Sequence, residues 1–317
     1  MDEPIALLLA GLLAFVFGWN NSAILIGNER GSGTLSARQS TALCSLGIVL
    51  GVALEGSKMR GSLDGTIAGQ ATDAMVVATL VVTIALTFAL TVGAIPVSFS
   101  NTMVGAFAGT AFGSSVALRA GDLGTVVAFW LLAPLATAAA TVACHGAIKR
   151  GTANLNLIAM DRFNRAGVGL VSLALAYVLS ANNVGLIYGT AFDTAQGASQ
   201  GVGASLPLAV ALGGCAIVAM AAFGRGGVAG TVGDRLVSLS PREVLSAFSA
   251  TIIMMWLATQ LAIPISVSQC LIGGMLGAAL TKKVAIVNRR LALEVVASWA
   301  AVPLVAFVLA AALVPFL

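Results

Sequence analysis

The chain has 317 residues, of which 59% are hydrophobic and only 9% are charged, and its mean hydropathy is +1.01. Soluble domains carry about 25% charged residues, so this composition excludes a water-soluble globular protein. The net charge of +4 does not indicate nucleic-acid binding, because cytoplasmic loops of membrane proteins are themselves rich in Lys and Arg. Apolar runs of about 20 residues match the thickness of a bilayer core, and the alternating segments of a transmembrane β-barrel are absent. The sequence is that of a polytopic helical membrane protein.

The apolar runs predict ten helices. In chain order they lie at about 4–28, 38–56, 73–94, 101–117, 122–147, 166–190, 203–223, 242–262, 267–281 and 291–316. The first run follows Asp2 and Glu3 without a basic segment, so we expect a retained helix and not a cleaved signal peptide. A polar stretch then separates two halves of similar length. We therefore predict a first transmembrane repeat at 1–147, a cytoplasmic linker at 148–165 and a second transmembrane repeat at 166–317.

The basic residues are distributed unevenly between alternate loops. If the N-terminus is outside and the sides alternate, 13 of the 16 Lys and Arg residues fall in inside loops. The three on the outside are Lys58, Arg60 and Arg119. Because cytoplasmic loops carry the excess of Lys and Arg, this split predicts a multi-pass protein of the plasma membrane with both termini extracytoplasmic.

The two halves share the same pattern of Pro, Ser, Asn and Gly residues. The pattern IPxSxSxxxxGxxxGxA begins at Ile95 and again at Ile263, and it matches at seven positions with a constant offset of 168. Two further pairs occur in the same order: Asn20-Asn21 with Asn182-Asn183, and Trp130…Pro134 with Trp299…Pro303. Chance similarity between apolar helices does not repeat such residues in order, so the halves are predicted to be duplicates.

Each half contains five predicted helices, an odd number, so the second copy is expected to be inverted in the membrane. Inverted repeats are typical of secondary transporters, whose sites lie near the membrane midplane where the repeats meet. The helices around IPxSxS are expected either to cross or to form re-entrant hairpins, and the loop sides are the same in both cases. The predicted fold is all-α: a polytopic membrane protein of two inverted-topology repeats with broken helices and re-entrant-like Pro-Ser hairpins.

Two pairs of polar clusters lie inside apolar segments, where polar side chains are costly unless they face a partner or a cavity. The Asn20-Asn21 and Asn182-Asn183 pairs disfavour helix, so we expect unwound backbone there, facing a cavity; interhelical hydrogen bonding is the alternative. In the second pair of clusters, a Pro stops one helix and Ser100 or Ser268 is expected to cap the next. The polar residues of these turns are Ser98, Ser100, Asn101 and Thr102 in the first half and Ser266, Ser268 and Gln269 in the second.

Two inverted helix starts at membrane depth would direct two positive dipole ends toward one central point, which favours an anion. The Gly105xxxGly109 and Gly273xxxGly277 spacings after the turns are interpreted as sites of close helix packing. The four cysteines show no CxxC pairing and are predicted to be buried free thiols.

At these motifs the sequence resembles the inorganic phosphate transporter family, which includes phosphate and sulfate permeases. The family's duplicated GANDVANA-like stretch is similar to GWNNSA at 18–23 and SANNVG at 180–185. Its duplicated PVSTTH-like stretch is similar to PVSFSN at 96–101 and PISVSQ at 264–269. The resemblance implies that Asn20, Asn182 and the serine turns line an oxyanion site at the repeat interface, with backbone carbonyls nearby that hold coupling cations.

The chain departs from the family at four positions. Asn21 and Asn183 stand where the family has aspartates, and Asn101 and Gln269 stand where it has histidines. Phosphate keeps a proton at neutral pH that a carboxylate can accept, whereas sulfate needs only donors. A carboxylate-free set of donors therefore favours sulfate slightly over phosphate.

We predict a cation-coupled secondary active transporter for a tetrahedral inorganic oxyanion, driven by Na⁺ or H⁺, with Asn21 and Asn183 as sodium ligands. The alternatives are a phosphate:sodium symporter of the same family and an anion channel. The predicted substrate-binding residues are Asn20, Asn21, Ser98, Ser100, Asn101, Thr102, Asn182, Asn183, Ser266, Ser268 and Gln269. No enzymatic activity, cofactor or nucleic-acid partner is expected; the oxyanion and the lipid bilayer are the expected partners, and the sequence is compatible with a homodimer.

Overall fold

The computed structural model describes residues 3–22, 25–26, 34–63, 65–69, 71–93, 97–196, 202–223, 239–282 and 289–317. The described residues form ten α-helices, as predicted, and two short 3₁₀ segments at Gly56–Met59 and Val314–Phe316. The helices are α1 (Glu3–Ser22), α2 (Ala37–Glu55), α3 (Asp73–Val92), α4 (Phe99–Gly113), α5 (Ala120–Gly151), α6 (Leu157–Gln196), α7 (Val202–Phe223), α8 (Pro241–Gln260), α9 (Val267–Leu280) and α10 (Arg289–Leu313). Apart from an isolated bridge between Ala68 and Leu118, these residues contain no β-structure.

Eight of the ten helices are long and apolar enough to cross a membrane, and α4 and α9 are not. With 15 and 14 residues, these two helices are about 22 Å long, shorter than the bilayer core of about 30 Å. The hydroxyls of Thr79 on α3 and Thr110 on α4 lie 3.4 Å apart, which places α4 antiparallel beside α3. The α3–α4 and α8–α9 pairs are thus helical hairpins with one long arm and one short arm, and each short arm begins at the serine of its Pro-x-Ser motif. Whether they cross the membrane or re-enter it stays a prediction.

The hairpin helices of each repeat pack against the last helix of the other repeat. A Cβ added at Gly105 or Gly109 of α4 would collide with the backbone of Pro303 or Phe307 in α10. A Cβ at Gly273 of α9 would collide in the same way with Pro134 of α5. The predicted role of these glycines in close packing is confirmed, and the Pro residues of the third repeated motif are their partners.

The first two helices of each repeat also pack against the other repeat. Gly18 of α1 lies against the backbone of Ala216 in α7, and Gly51 of α2 lies against Tyr177 in α6. The Ser180 hydroxyl on α6 donates to the carbonyl of Ile48 on α2 at 2.7 Å. The pairs α4–α10, α5–α9, α1–α7 and α2–α6 therefore each join one repeat to the other. The predicted two-repeat, all-α polytopic fold is confirmed.

Two details differ from the sequence predictions. Helix α6 begins at Leu157, nine residues before the predicted start at 166, and it extends as a single helix of 40 residues. The cysteines are free, but Cys144 and Cys215 are only half-buried, whereas Cys44 and Cys270 are fully buried. The end predicted for α1 at residue 28 lies outside the described residues, since the description of α1 ends at Ser22.

Candidate functional site

The site is built around the starts of the two short hairpin helices. The Ser98 hydroxyl accepts a hydrogen bond from the backbone N–H of Asn101 at 3.3 Å, and the Ser266 hydroxyl accepts one from the backbone N–H of Gln269 at 3.2 Å. Ser98 and Ser266 are therefore the N-caps of α4 and α9. The prediction that Ser100 or Ser268 caps these helices is wrong by two residues. Because a cap satisfies the N–H group three residues later, each helix starts directly after its Pro-x-Ser turn.

Because Ser98 caps α4, the Ser100 hydroxyl does not, and it points across the interface between the repeats. Its hydroxyl lies 2.6 Å from Oδ1 of Asn183 on α6 and 2.8 Å from the carbonyl oxygen of Ile265, just before α9. A hydroxyl has one proton, so it donates to one of these oxygens at a time. Ser100, Asn183 and Ile265 thus bring together three oxygen atoms from both repeats, and the starts of α4 and α9 lie beside each other.

The two asparagine pairs occupy equivalent places in the two repeats. Asn20 donates from its Nδ2 to the Thr91 hydroxyl at 2.9 Å, and Asn182 donates to the Thr259 hydroxyl at 3.1 Å. Thr91 and Thr259 end the long arms of the hairpins and are separated by the same offset of 168 as the turn motifs. Sequence analysis missed both threonines. Extending the repeat alignment backwards from the Pro-Ser turns, where TVGAIP at 91–96 matches TQLAIP at 259–264, would have found them.

The expected unwinding at the asparagine pairs is not observed. Helix α6 continues through Asn182 and Asn183, and α1 continues through Asn20 and Asn21 to Ser22. The reason is local: Nδ2 of Asn21 donates to the carbonyl of Phe17 at 3.0 Å, and Nδ2 of Asn183 donates to that of Leu179 at 3.1 Å. The second asparagine of each pair thus bonds to its own helix through its side-chain N–H group, and Oδ1 of Asn183 accepts from Ser100.

Asn182 binds the second hairpin more extensively than its equivalent binds the first in the described residues. Its Nδ2 lies 3.2 Å from the carbonyl of Ile263, and its Oδ1 accepts from the amide of Ile265 at 3.4 Å. The sulfur of Met59, in the 3₁₀ segment, lies 3.5 Å from the same Nδ2. The residues Ala94, Ile95 and Pro96 of the first turn lie outside the described residues. Asn182 therefore fixes both arms of the α8–α9 turn.

Ser268 does not repeat the contact of Ser100. Its hydroxyl lies 3.0 Å from that of Ser266 within its own turn. Phe99, the one apolar residue among the polar ones of the first turn, packs edge-on against Phe17 of α1 with the ring centroids 4.9 Å apart. The oxygen cluster is thus assembled from Ser100 and Asn183, and the equivalent pair of Ser268 and Asn21 is not joined in this conformation.

The third residue of each short helix carries an unsatisfied side chain. Both amide atoms of Asn101 and Oε1 of Gln269 are buried without a hydrogen-bond partner. These two residues are 0% and 2% exposed, and burial of an amide without a partner costs about 1–3 kcal/mol. Buried polar groups without a partner are rare in native proteins, so these two side chains are candidates for contact with a bound solute or water. Thr102, by contrast, is satisfied, since its hydroxyl donates to the Ser98 carbonyl at 2.8 Å.

All the residues predicted to bind substrate are buried, and none is exposed by more than 8%. They converge on the region where α1, α6 and the starts of the two short hairpin helices meet.

A model of the phosphate transporter family matches the chain twice, at residues 17–168 and 159–310. The chain belongs to the phosphate transporter family. The resemblance seen in the paired motifs is thereby confirmed, and the two matches correspond to the two repeats.

This member of the phosphate transporter family also has a solved structural relative. The structure titled "The sodium-dependent phosphate transporter" superposes with a TM-score of 0.83 and covers 98% of each chain at 17% sequence identity. At that identity the likeness establishes the shared fold. No curated protein sequence matches the chain. Membership identifies the chain as a multi-pass membrane transporter.

Proposed function

We propose that the chain is a cation-coupled secondary transporter that moves a tetrahedral inorganic oxyanion by alternating access. The observation that carries this proposal is the meeting of two capped helix starts, since Ser100 of α4 lies 2.8 Å from the Ile265 carbonyl beside α9. The positive ends of two helices and their first-turn N–H groups attract an anion. In inverted-repeat transporters, substrates bind at such helix ends near the midplane. Family membership and the shared fold support the same reading.

The residues of the site favour sulfate over phosphate. Its side chains are Asn, Gln, Ser and Thr, and the positions of the family's aspartates and histidines are occupied by Asn21, Asn183, Asn101 and Gln269. Sulfate carries no proton at neutral pH and is recognised by donors alone, whereas the proton of phosphate is best met by an acceptor such as a carboxylate. Phosphate remains the second candidate, because the structural relative is named for it.

Coupling to cations follows from the electrical cost of import. Moving two negative charges inward against 100 mV costs about 4.6 kcal/mol, so two accompanying cations cancel it. The Ser100 hydroxyl oxygen lies 2.6 Å from the side-chain oxygen of Asn183 and 2.8 Å from the carbonyl oxygen of Ile265. Hard cations bind oxygen ligands of this kind. We assign this cluster to Na⁺, with Asn21 as the corresponding ligand in the first repeat. The charge asymmetry of the loops supports a plasma-membrane protein with external termini.

Uptake by proteoliposomes tests the proposal. The purified chain is reconstituted, and labelled sulfate and phosphate are supplied with sodium and proton gradients imposed separately. We expect uphill accumulation of sulfate in excess of phosphate that requires the sodium gradient. Uptake that never exceeds equilibrium, with fluxes far above those of a carrier, would instead identify an anion channel. Equal uptake without any gradient would refute coupling.

The substitution Asn21→Asp tests the substrate preference. A carboxylate at this position supplies the acceptor that protonated phosphate needs, so the ratio of phosphate to sulfate uptake should rise several-fold. The matched control is Asn156→Asp, outside the site, where the side chain accepts from the Ala159 amide at 2.8 Å and aspartate caps a helix equally well. An unchanged ratio in the Asn21 variant would disprove the explanation that the absence of a carboxylate acceptor makes the site prefer sulfate.

A further inference from the structure

An apolar groove of about 840 Å³ lies between the two hairpin helices and the two proline-containing helices. Its walls come from α4, α5, α9 and α10. Several lining residues occupy equivalent positions in the two repeats, among them Trp130 and Trp299, Pro134 and Pro303, and Ala108 and Leu276. Apart from Gln269 and the indole N–H groups of the two tryptophans, the described residues that line it carry no polar side-chain atoms. Water needs two or more polar partners to be held in a cavity, so these walls favour an apolar occupant.

The groove opens on the outer face of the helical body. Leu131, Leu135 and Leu304 line it and are 68%, 69% and 66% exposed. They belong to α5 and α10, which are long and apolar enough to span a membrane. In a bilayer the medium at this opening is acyl chains, because exposed leucines of spanning helices face lipid.

The size of the groove fits one acyl chain. Along α5 its lining runs from Leu123 to Ala138, a rise of about 22 Å, which exceeds the half-thickness of about 15 Å that one leaflet's chains occupy. Its volume lies within the range of about 300–1,000 Å³ that is typical of small-molecule sites. A void of this size would leave the walls without dispersion contacts.

We propose that this groove binds the acyl chain of a bilayer phospholipid, and that the bound chain holds the two hairpins in position. Two contacts link the groove to the site. The indole N–H of Trp130 donates to the carbonyl of Pro264 at 3.1 Å, in the turn before α9, and Gly273 of α9 lies directly against Pro134. A chain that wedges between α5 and α10 therefore acts on the turn that carries Ser266 and Ser268.

The test uses lipids with brominated acyl chains, which quench tryptophan fluorescence at contact. Trp19, Trp256 and Trp299 are replaced by Phe, so that Trp130 is the remaining fluorophore. The Trp130 side chain is 8% exposed and is reached by a bromine atom from inside the groove. In vesicles of brominated phosphatidylcholine we expect Trp130 to lose more than half of its emission relative to vesicles of the unbrominated lipid.

A matched pair of substitutions on α10 identifies the groove as the site. Ala300 lines the groove and Ala301 does not, and both are exposed. Ala300→Phe should abolish most of the quenching and lower labelled oxyanion uptake several-fold, and Ala301→Phe should change neither. Weak quenching in the parent, or equal quenching in both variants, overturns the proposal. If Ala300→Cys forms an interchain disulfide and the parent is not quenched, the occupant is a second copy. The fluorescence result does not depend on which solute is transported, so it remains decisive if the proposed function fails.

Discussion

The hydroxyl of Ser100 and the side-chain oxygen of Asn183 lie 2.6 Å apart, and this contact joins the short hairpin helix of the first repeat to the long sixth helix of the second. Both residues are at most 1% exposed. The contact completes an oxygen cluster with the Ile265 carbonyl. Its equivalent, between Ser268 and Asn21, is replaced by the contact of Ser268 with Ser266. The equivalent residues of the two repeats thus make different contacts, and this difference is compatible with the proposed alternating access.

Ser100→Ala should impair transport more than Ser268→Ala. Removal of the Ser100 hydroxyl leaves the proposed cation with one oxygen ligand fewer beside Asn183 and Ile265. The loss of such a buried group costs about 1–3 kcal/mol, or about fivefold to 150-fold in affinity. The sodium dependence of oxyanion uptake measures this change. We expect the half-saturating sodium concentration to rise by at least about fivefold for Ser100→Ala.

The control for this prediction is Ser172→Ala. Ser172 is as buried as Ser100, but its hydroxyl donates to the Val168 carbonyl within the same helix at 2.6 Å. Its removal should leave the sodium dependence unchanged. A shift of similar size in both variants would show that the Ser100 effect is a general loss of packing.

The fold was largely predictable because each membrane-depth helix is an apolar run ended by Pro, Gly or polar residues. The duplicated motifs with a constant offset predicted the two-repeat architecture, since the same residues recur at Ile95–Ala111 and Ile263–Ala279. Gly105 and Gly273 were correctly interpreted as packing positions. Their partners Pro303 and Pro134 were present as a third repeated motif, but sequence spacing alone does not reveal that each pairs with the opposite repeat.

The site was predicted by residue but not by geometry. Asn21 and Asn183 disfavour helix by propensity, yet their amides bond to the preceding turn and the helix continues. In each case a hydrogen bond to the preceding turn of the same helix offsets the low helix propensity of asparagine. The capping serines were misplaced by two residues because Ser98 and Ser100 are both good N-cap residues and the choice between them depends on the partner across the interface. Residue type therefore identified side chains that lie close together, and the three-dimensional contacts distinguish the serines that cap helices from the serine that bonds across the interface.

Gly273→Ala should destabilise the fold by about 1–3 kcal/mol, the usual cost of overpacking. The new methyl group would collide with the carbonyl of Pro134, a backbone atom that cannot rotate away. The matched control is Gly124→Ala in α5, where a Cβ meets open space and an alanine stabilises the helix interior by about 0.5–1 kcal/mol. Thermal unfolding in detergent should therefore move in opposite directions for the two variants. A neutral result at Gly273 would contradict the close approach of α9 and α5.

Ala262→Gly should stabilise the protein. Ala262 lies in the turn between α8 and α9 with a φ of 54°, a left-handed conformation that costs a non-glycine residue about 1–2 kcal/mol. Glycine removes this cost but loses more entropy on folding, so the expected net gain is about 0.5–1 kcal/mol. Chemical unfolding in mixed micelles measures it. Ala301→Gly, on an exposed helical position of α10, should instead lose about 1 kcal/mol, and stabilisation by both changes would exclude the conformational explanation.

Joining the tip of the second hairpin to the end of the second helix should arrest transport. Lys58 donates to the Gln260 side chain at the end of α8 and pairs with Glu55 at 3.0 Å, and Gln260 donates to Glu55 at 3.2 Å. These contacts hold the end of α8 against the C-terminal end of α2, and the proposed alternating access requires the protein to open on each side in turn. In a protein with Lys58→Cys and Gln260→Cys, a short bifunctional thiol reagent should abolish uptake, and a reductant should restore it.

The single variants Lys58→Cys and Gln260→Cys, treated with the same reagent, control for modification of the four native cysteines and should keep their uptake. Mass spectrometry of the digested protein verifies that the crosslink has formed. If uptake continues after complete crosslinking, the α8–α9 tip stays against α2 throughout the cycle. The opening motion would then belong to the α3–α4 hairpin, in which the Thr91 hydroxyl accepts from Asn20.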